Sequence, residues 1–315
     1  VDSVTELLGD SVGVQVQRFG GLGGFSVATI RGSNPNQVTY YIDGVPVNQA
    51  KFGLVNLENL PLSNVERIEV YRGFAPSQFG QSGIGGVINL VTRTLKNRTQ
   101  IESAVTYGSF ETDKENIIFA KSGSKWAGHL FFERFSSEGD YEFDDDNGTP
   151  FNLADDEQVD RQNNDFEKYS AMAKASYTGS SWRAELMGDF FVNEKGIPGI
   201  GNFQSEIARL TERRGLTNLN VQNRHLLEET AEFTSNAYFV LNKTHFEDRK
   251  GEIGLGNQDQ KTETNVYGLN TNFKYYWLGT NQILNLFLQA QREDFEEKNL
   301  LQNRTEPDRY RNSFT

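Results

Sequence analysis

Tyr169-Ser-Ala-Met-Ala-Lys-Ala-Ser-Tyr177, and after a short break Trp182-Arg-Ala-Glu-Leu-Met-Gly-Asp-Phe-Phe-Val192, decide how this chain is built. In the first stretch one face reads Tyr169, Ala171, Ala173, Ala175, Tyr177 and the other Ser170, Met172, Lys174, Ser176. In the second, Trp182, Ala184, Leu186, Gly188, Phe190 and Val192 face one way, and Arg183, Glu185, Met187, Asp189 and Phe191 the other. Tyr267 to Trp277 repeats the scheme, with Tyr267, Leu269, Thr271, Phe273, Tyr275 and Trp277 set against Gly268, Asn270, Asn272, Lys274 and Tyr276. Only an extended strand sends every second side chain to the same side. The apolar faces tend to begin and end on Tyr or Trp, and each run is about ten residues, the length that crosses hydrocarbon at a barrel tilt. The opposite faces place full charges in mid-strand, which suits a wide polar lumen.

Moving outward from these strands, the connections alternate in length. Residues 122–124, 178–181 and 278–281 form tight turns, whereas 138–165, 194–214 and 248–262 are long and polar. Short turns on one rim and long loops on the other are the pattern of outer-membrane barrels. About nine strands fit between Thr99 and Arg292, with a tenth starting near Arg309. The fold class expected is thus a transmembrane antiparallel β-barrel, present in part.

Composition agrees with this reading. A mean hydropathy of -0.60 is compatible with a membrane barrel, because lipid-facing residues occupy only alternate positions. No stretch approaches the roughly 18 consecutive apolar residues of a spanning helix. With 23 Phe, 12 Tyr and 3 Trp the chain can bury real area and is not disordered. The net charge of -12 argues against a nucleic-acid partner. Most of it sits in residues 138–165, where eleven acids face the single base Arg161. Without cysteine there is no disulfide framework, thiolate metal site or cysteine nucleophile.

Residues 1–95 have a different texture. They are Gly-rich, with short apolar runs between turn signals. Ser3 and Glu6 have capping-box spacing for a helix over residues 1–8. Val38-Thr-Tyr-Tyr-Ile-Asp-Gly-Val-Pro-Val47 places Asp43-Gly44 between two β-rich runs, a strong hairpin signal. Residues 12–17, 64–72 and 86–92 read as further strands. This is a small α+β domain, and residues 96–315 are the first part of the barrel.

Four ordered motifs in that domain carry a family resemblance: Thr29-Ile-Arg-Gly32, Tyr41-Ile-Asp-Gly-Val-Pro-Val-Asn48, Pro61-Leu-Ser-Asn-Val-Glu-Arg-Ile-Glu-Val-Tyr-Arg-Gly73 and Phe79-Gly-Gln-Ser-Gly-Ile-Gly-Gly-Val-Ile-Asn-Leu-Val-Thr-Arg93. Together they resemble the plug domain of TonB-dependent outer-membrane receptors. Gly196-Ile-Pro-Gly-Ile-Gly-Asn-Phe203 is similar to the cobalamin and siderophore branch. The resemblance implies a plug inside a barrel of about 22 strands, in the Gram-negative outer membrane among lipid and lipopolysaccharide. It implies a receptor that takes a scarce, large nutrient from outside and imports it when the inner-membrane TonB complex pulls an N-terminal box. That box lies ahead of the plug in the family and is absent from the numbered chain, and about nine or ten strands cannot close the wall. An open sheet in lipid would leave unpaired edges costing several kcal/mol per group. Either the chain is the front part of a longer one, which is the expectation, or other outer-membrane chains complete the barrel. The competing expectation is a receptor-like scaffold of an outer-membrane assembly that transports nothing.

By resemblance, Arg31 and Arg72 pair with wall carboxylates and lock the plug; the alternative is a local bridge to Glu66 or Glu69. Tyr40, Tyr41, Phe52 and Phe74 are candidates for contact with the nutrient, and could equally be plug packing. Asp140, Asp144, Asp146, Asp155 and Asp156, with Asp145 and Asp160, form either a solvated acidic loop or a Ca²⁺ site within 138–165; no cofactor is required. The glycines Gly20, Gly21, Gly23, Gly24, Gly80, Gly83, Gly85 and Gly86 match neither phosphate-loop nor dinucleotide spacing and suit tight turns and close plug-to-wall packing. His129, His225 and His245 lack metal-like spacing, and no nucleophile–base or paired-carboxylate arrangement is visible, so the chain is not read as an enzyme.

Overall fold

A computed structural model describes residues 3–49, 51–73, 75–76, 79–80, 84–93, 99–149, 151–227, 230–254, 256–277 and 282–314. The amino-terminal domain opens with helix α1 (Val4–Gly9), capped reciprocally by Ser3 and Glu6 as their spacing requires. Strands β1 (Val14–Phe19) and β2 (Phe25–Ile30) form a hairpin. A second sheet holds β3 (Val38–Ile42), β4 (Val45–Pro46), β5 (Val65–Tyr71) and β6 (Gly86–Thr92) in the order β4-β3-β6-β5, with β3 and β6 parallel. Asp43 and Gly44 close the β3–β4 turn with φ of 47° and 81°, the left-handed pair expected at a two-residue hairpin.

The wall is one antiparallel sheet. Its long strands are β7 (Gln100–Tyr107), β8 (Asp113–Ser122), β9 (Trp126–Ser137), β12 (Phe166–Thr178), β13 (Trp182–Gly196), β14 (Arg209–Leu226), β15 (Ala231–Asp248), β16 (Gln258–Tyr276) and β17 (Ile283–Asn299). Beyond them β18 (Arg304–Thr305) and β19 (Arg309–Phe314) both pair with β17. The strand count read from alternation therefore holds among the described residues. The expected length does not: β14 to β17 run 17 to 19 residues, nearly twice the ten expected. Arg209, Arg213 and Lys261, assigned to long loops by their polarity, lie in strands. The wall continues past the membrane into water, where a strand's outer face turns charged and the alternation disappears. Likewise the acidic segment 138–165 is not wholly loop, since β10 (Glu142–Asp145) and β11 (Glu157–Asp160) pair as a hairpin. The domain boundary expected at 95 and the turn at 278–281 lie outside the described residues.

The outward face shows the membrane directly. Leu130, Phe132, Leu186, Phe190, Leu219, Leu269, Leu286 and Leu288 are exposed, between two rows of aromatic pairs. Trp126–Tyr177, Trp182–Phe233 and Tyr275–Trp277 form the lower row, and Phe132–Tyr169 and Phe239–Tyr267 the upper one. In β12 the rows are eight residues apart, about 27 Å along the strand, which at barrel tilt matches an apolar band of about 25 Å. Just above the upper row the outward residues become ion pairs: Arg134–Glu167, Arg213–Glu194, Lys243–Glu263 and Arg292–Asp294. Among the described residues no helix is long and apolar enough to cross a membrane.

The lumen face, expected to be polar, also carries an apolar row. Ile118, Phe131, Met172, Leu216, Val240 and Val266 lie in one register row across β8, β9, β12, β14, β15 and β16. They are buried in the same cluster as Val4, Leu8, Ile30, Tyr40 and Ile88 of the inner domain. Met187, one register row below, joins them, so both methionines of the chain face inward here. The inner domain thus sits on an apolar hoop with polar surface above and below, each buried side chain contributing roughly 1.5–3 kcal/mol.

Candidate functional site: the seat between inner domain and wall

Alternation places Lys168 and Lys174 on the lumen face of β12, and Asp189, Asn193 and Lys195 on that of β13. Lys168 is buried, with its Nζ 4.7 Å from the centre of the Phe166 ring, and donates to the backbone carbonyl of Glu58 at 3.0 Å. Lys195 donates to the carbonyl of Gly23 at 3.2 Å. A buried ammonium without acceptors would be costly, so each of these bonds fixes a segment of the inner domain. The Glu58 carboxylate accepts from the Thr5 hydroxyl at 2.9 Å, which ties α1 to the segment held by Lys168.

Glu212 on β14 gathers amides from both bodies. It accepts from Asn59 at 2.7 Å and Gln49 at 3.3 Å, and Asn193 of β13 donates to the Asn59 side chain at 3.0 Å. Glu133 takes the Ser63 hydroxyl, and His129 pairs with Asn64 at 2.8 Å, which makes it the lumen-facing histidine expected of its place in the strand. Nearer the tight turns Lys174 meets Asp43 at 2.7 Å. The same Asp43 accepts from the Thr92 amide and hydroxyl, so the β3–β4 turn is anchored to β6 and to the wall together. At the outer rim Lys51 meets Glu297 of β17 at 2.6 Å.

Close approach supplies the rest of the fit. Gly23 has φ of 74°, and a Cβ there would collide with the Phe166 ring. Gly80, φ 59°, lies against the Gln289 side chain. Cavities remain between inner domain and wall among the described residues, two of them sizeable. A lower one of 590 Å³ is lined by Asp43, Glu69, Arg93, His129, Lys174 and Asn218 among others. A second, of 340 Å³, lies between Thr39, Asn48 and Gln49 of the inner domain and Gln291 and Glu293 of β17. Burial pushes the Glu69 carboxyl up, but hydrogen bonds from Asn89, Arg67 and Tyr71 outweigh it and hold the group below the usual carboxylate range.

The residues singled out from sequence distribute unevenly. Tyr40 and Tyr41 are corrected to core. Tyr40 is 1% exposed and its hydroxyl is bonded to Ala28, while Tyr41 donates to the carbonyl of Phe79 at 2.6 Å; burial pushes both phenols up. A β-rich run in a parallel sheet is covered on both faces, and the Tyr41 ring is packed edge-on against Phe79 at 4.9 Å. Phe52 is 59% exposed beside Lys51 at the rim, and Phe74 lies outside the described residues. Arg31 and Arg72 lie side by side over Gly13. Neither has an ion-pair partner among the described residues; Glu69 is taken by Arg67, and the Arg72 Nε is buried without an acceptor.

The aspartates of 138–165 do not converge. Asp144 accepts from Gln158, Asp146 from Gly148 and Asn202, and Asp155 from Thr149, while Asp140 and Asp156 are exposed. Among the described residues no three acid or histidine groups are placed to hold a metal ion. Arg161, the lone base of the segment, is buried, stacks on Phe143 and donates to the carbonyl of Gly201, strapping the β10–β11 hairpin to the next loop. Sequence reasoning missed Lys168, Lys195 and Glu212. Their signal was visible as charges in the inward register of long strands, but nothing local says which of them an inner domain will cover.

Comparison with known proteins fits this geometry. Residues 1–87 match the family described as TonB-dependent receptor plug domain. Over 115 residues the chain is 33% identical to the vitamin B12 transporter BtuB of Vibrio cholerae, which is 36% of this chain and 19% of that protein. The fold resembles the FrpB iron transporter of Neisseria meningitidis (TM-score 0.70, 17% identity, 93% of this chain and 46% of that one). It also resembles the copper transporter OprC (TM-score 0.74, 11% identity, 97% and 48%). The chain thus spans about half the length of these solved structures. Residues 1–87 thus match the plug domain of TonB-dependent receptors, and over 93% of its length the chain shares the fold of the FrpB structure.

Proposed function

We propose that the protein is a receptor that captures a scarce, large nutrient of the cobalamin or ferric-siderophore class at the cell surface and imports it with energy delivered through TonB. The observation that carries this reading is how the plug is seated. Its polar fastenings to the wall run through single side chains, Lys168, Lys195, Glu212 and Lys174 among them, each able to exchange its plug partner for water, while among the described residues no strand of the plug pairs with the wall sheet. The plug can therefore move without unzipping the barrel. A pull on residues ahead of α1 would reach the Thr5–Glu58 contact first and then the carbonyl held by Lys168.

In this reading Arg31 and Arg72, both beside Gly13 and without ion-pair partners among the described residues, lock the plug by pairing with wall carboxylates, and Phe52 at the outer rim touches the nutrient. The test is uptake of radiolabelled cyanocobalamin, and in parallel of a ferric siderophore, by cells carrying the intact receptor, with and without an energised TonB complex. Saturable binding together with TonB-dependent accumulation of either is expected. Neither binding nor accumulation would overturn the proposal.

A further inference from the structure

We propose that cargo passes the plug along the lumen face of β14–β17, on a cross-strand stripe of neutral amides that joins the two sizeable cavities; the inference rests on the import reading above. The apolar hoop decides where a path can run. Across β14, β15 and β16 it continues as Leu216, Val240 and Val266, but the next residue in that register row is Glu293 of β17, paired with Arg311 at 2.8 Å. The 340 Å³ cavity stands in this gap, with Val266 and Glu293 on its wall side and Asn48 and Gln49 on its plug side. Asp189 of β13 also interrupts the row, between Met172 and Leu216. There buried Arg214 fills the place at 3.0 Å, and the cavity beside it holds only 40 Å³.

Below the gap the stripe begins. Gln289, Asn270, Asn236 and Asn220 stand opposite one another across β17, β16, β15 and β14. At the spacing of neighbouring strands these three steps cover about 15 Å. Gln289 lines the 340 Å³ cavity at one end, and Asn236 and Asn220 line the 590 Å³ cavity at the other, which reaches the tight turn at residues 122–125. Asn218 and Asn270 are each 5% exposed, with a side-chain oxygen that meets no protein donor. Buried acceptors of that kind call for a ligand or water. They face a boundary that the plug approaches with Gly44 and Gly80, which carry no side chain to interlock. A pull that moves the plug therefore opens this flank by exchanging neutral hydrogen bonds, whereas opening the β12–β13 flank would strip partners from buried Lys168 and Lys195. The cargo that suits the stripe has a rim of neutral N–H and O–H groups. A bare carboxylate would give up hydration for partners that bring no charge, and segment 138–165, with eleven acids and one base, disfavours anions on the outer side.

The sequence contains no cysteine, so single cysteines report on each flank without background. Asn270→Cys marks the stripe, with Asn236→Cys as a second position on it. Ser170→Cys, a near-isosteric change at a site 4% exposed on the lumen face of β12, marks the gripped flank. Cells carrying the intact receptor are labelled with a membrane-impermeant maleimide during uptake of cyanocobalamin, whose rim carries neutral amides, with and without an energised TonB complex; a ferric polycarboxylate siderophore is the separate arm. Labelling of the stripe positions is expected only with cargo and energised TonB. It should run about tenfold faster than at Ser170→Cys, because labelling follows the open fraction of each flank, and the modified stripe should keep cyanocobalamin binding but lose its accumulation. Equal labelling of the two flanks, faster labelling at Ser170→Cys, or accumulation that proceeds with the stripe unlabelled or fully modified overturns the route. Accumulation of the polycarboxylate chelate alone overturns the cargo chemistry. Absence of TonB-dependent accumulation of either cargo by the parent counts instead against the reading on which the inference rests.

Discussion

The plug meets two unlike stretches of wall. Along β12, β13 and the start of β14 it is gripped: buried Lys168 and Lys195 hold its carbonyls, Glu212 holds its amides, and Gly23 presses on Phe166. Along the lower β14–β17 the lumen face is mostly uncharged amides, Asn218, Asn220, Asn236, Asn270, Asn272 and Gln289. The side-chain oxygens of Asn218, Asn270 and Asn272 meet no protein donor there, and the plug approaches with Gly44 and Gly80. The difference teaches that one barrel wall can anchor a plug on one flank and leave it easily parted on the other. Buried charge makes a contact specific and costly to break, whereas amides trade partners with water at little net cost.

Three measurements would break or sharpen that contrast, and a fourth tests the loops above it. The largest effect is expected from Gly23→Leu, which combines a left-handed backbone with a side chain driven into the Phe166 ring. It should lower plug stability by about 2–5 kcal/mol, read as a fall in the melting temperature and faster proteolysis of the plug. Glu212→Ala strands the donors of Asn59 and Gln49 and should cost about 1–3 kcal/mol by the same melt. On the amide flank Gly80→Ala should cost only about 1 kcal/mol of backbone strain, because the Gln289 side chain can swing away. A loss there as large as that of Gly23→Leu would erase the distinction between flanks.

The smallest effect concerns the outer loops, where no plug contact is involved. Glu252 accepts from the amides of Ile207 and Glu206 and from the Ser205 hydroxyl, and these bonds, the Ile207 amide foremost, lower its carboxyl pKa despite partial desolvation. A depressed folded pKa gives stability that is present above the ordinary carboxylate value and lost as pH falls through the folded one. Hydrogen exchange of the 206 and 207 amides, corrected for intrinsic rates, should therefore show steady protection from neutral pH down through the ordinary carboxylate range and lose it only below. Protection that fades already near pH 6 would refute the clip.

The strands were legible because each obeys a period of two over many residues. Leu186 and Phe190 are exposed, and Met187, Asp189 and Phe191 buried, as alternation alone requires. The capping box at Ser3 and the turn at Asp43-Gly44 were equally legible, since each is decided by two or three neighbouring residues. The apolar hoop was not. Ile118, Phe131, Met172, Leu216, Val240 and Val266 are spread over some 150 residues of sequence, and each sits singly on an otherwise polar face. Only register across the sheet lines them up. Tyr40 and Tyr41 misled for the opposite reason: beside a turn they look exposed, and the parallel partner β6 that covers them comes from more than 40 residues away.

By itself the sequence determined which faces of the strands meet lipid, where the first domain turns and caps, and how many strands follow it, because all of these depend on interactions between near neighbours. Tertiary structure alone decided which inward charges became fastenings. Lys168 and Lys195 differ from other inward-facing polar residues only in lying beneath the carbonyls of Glu58 and Gly23, and a hydrogen bond between residues more than 100 positions apart exists only once the plug has been docked against the wall.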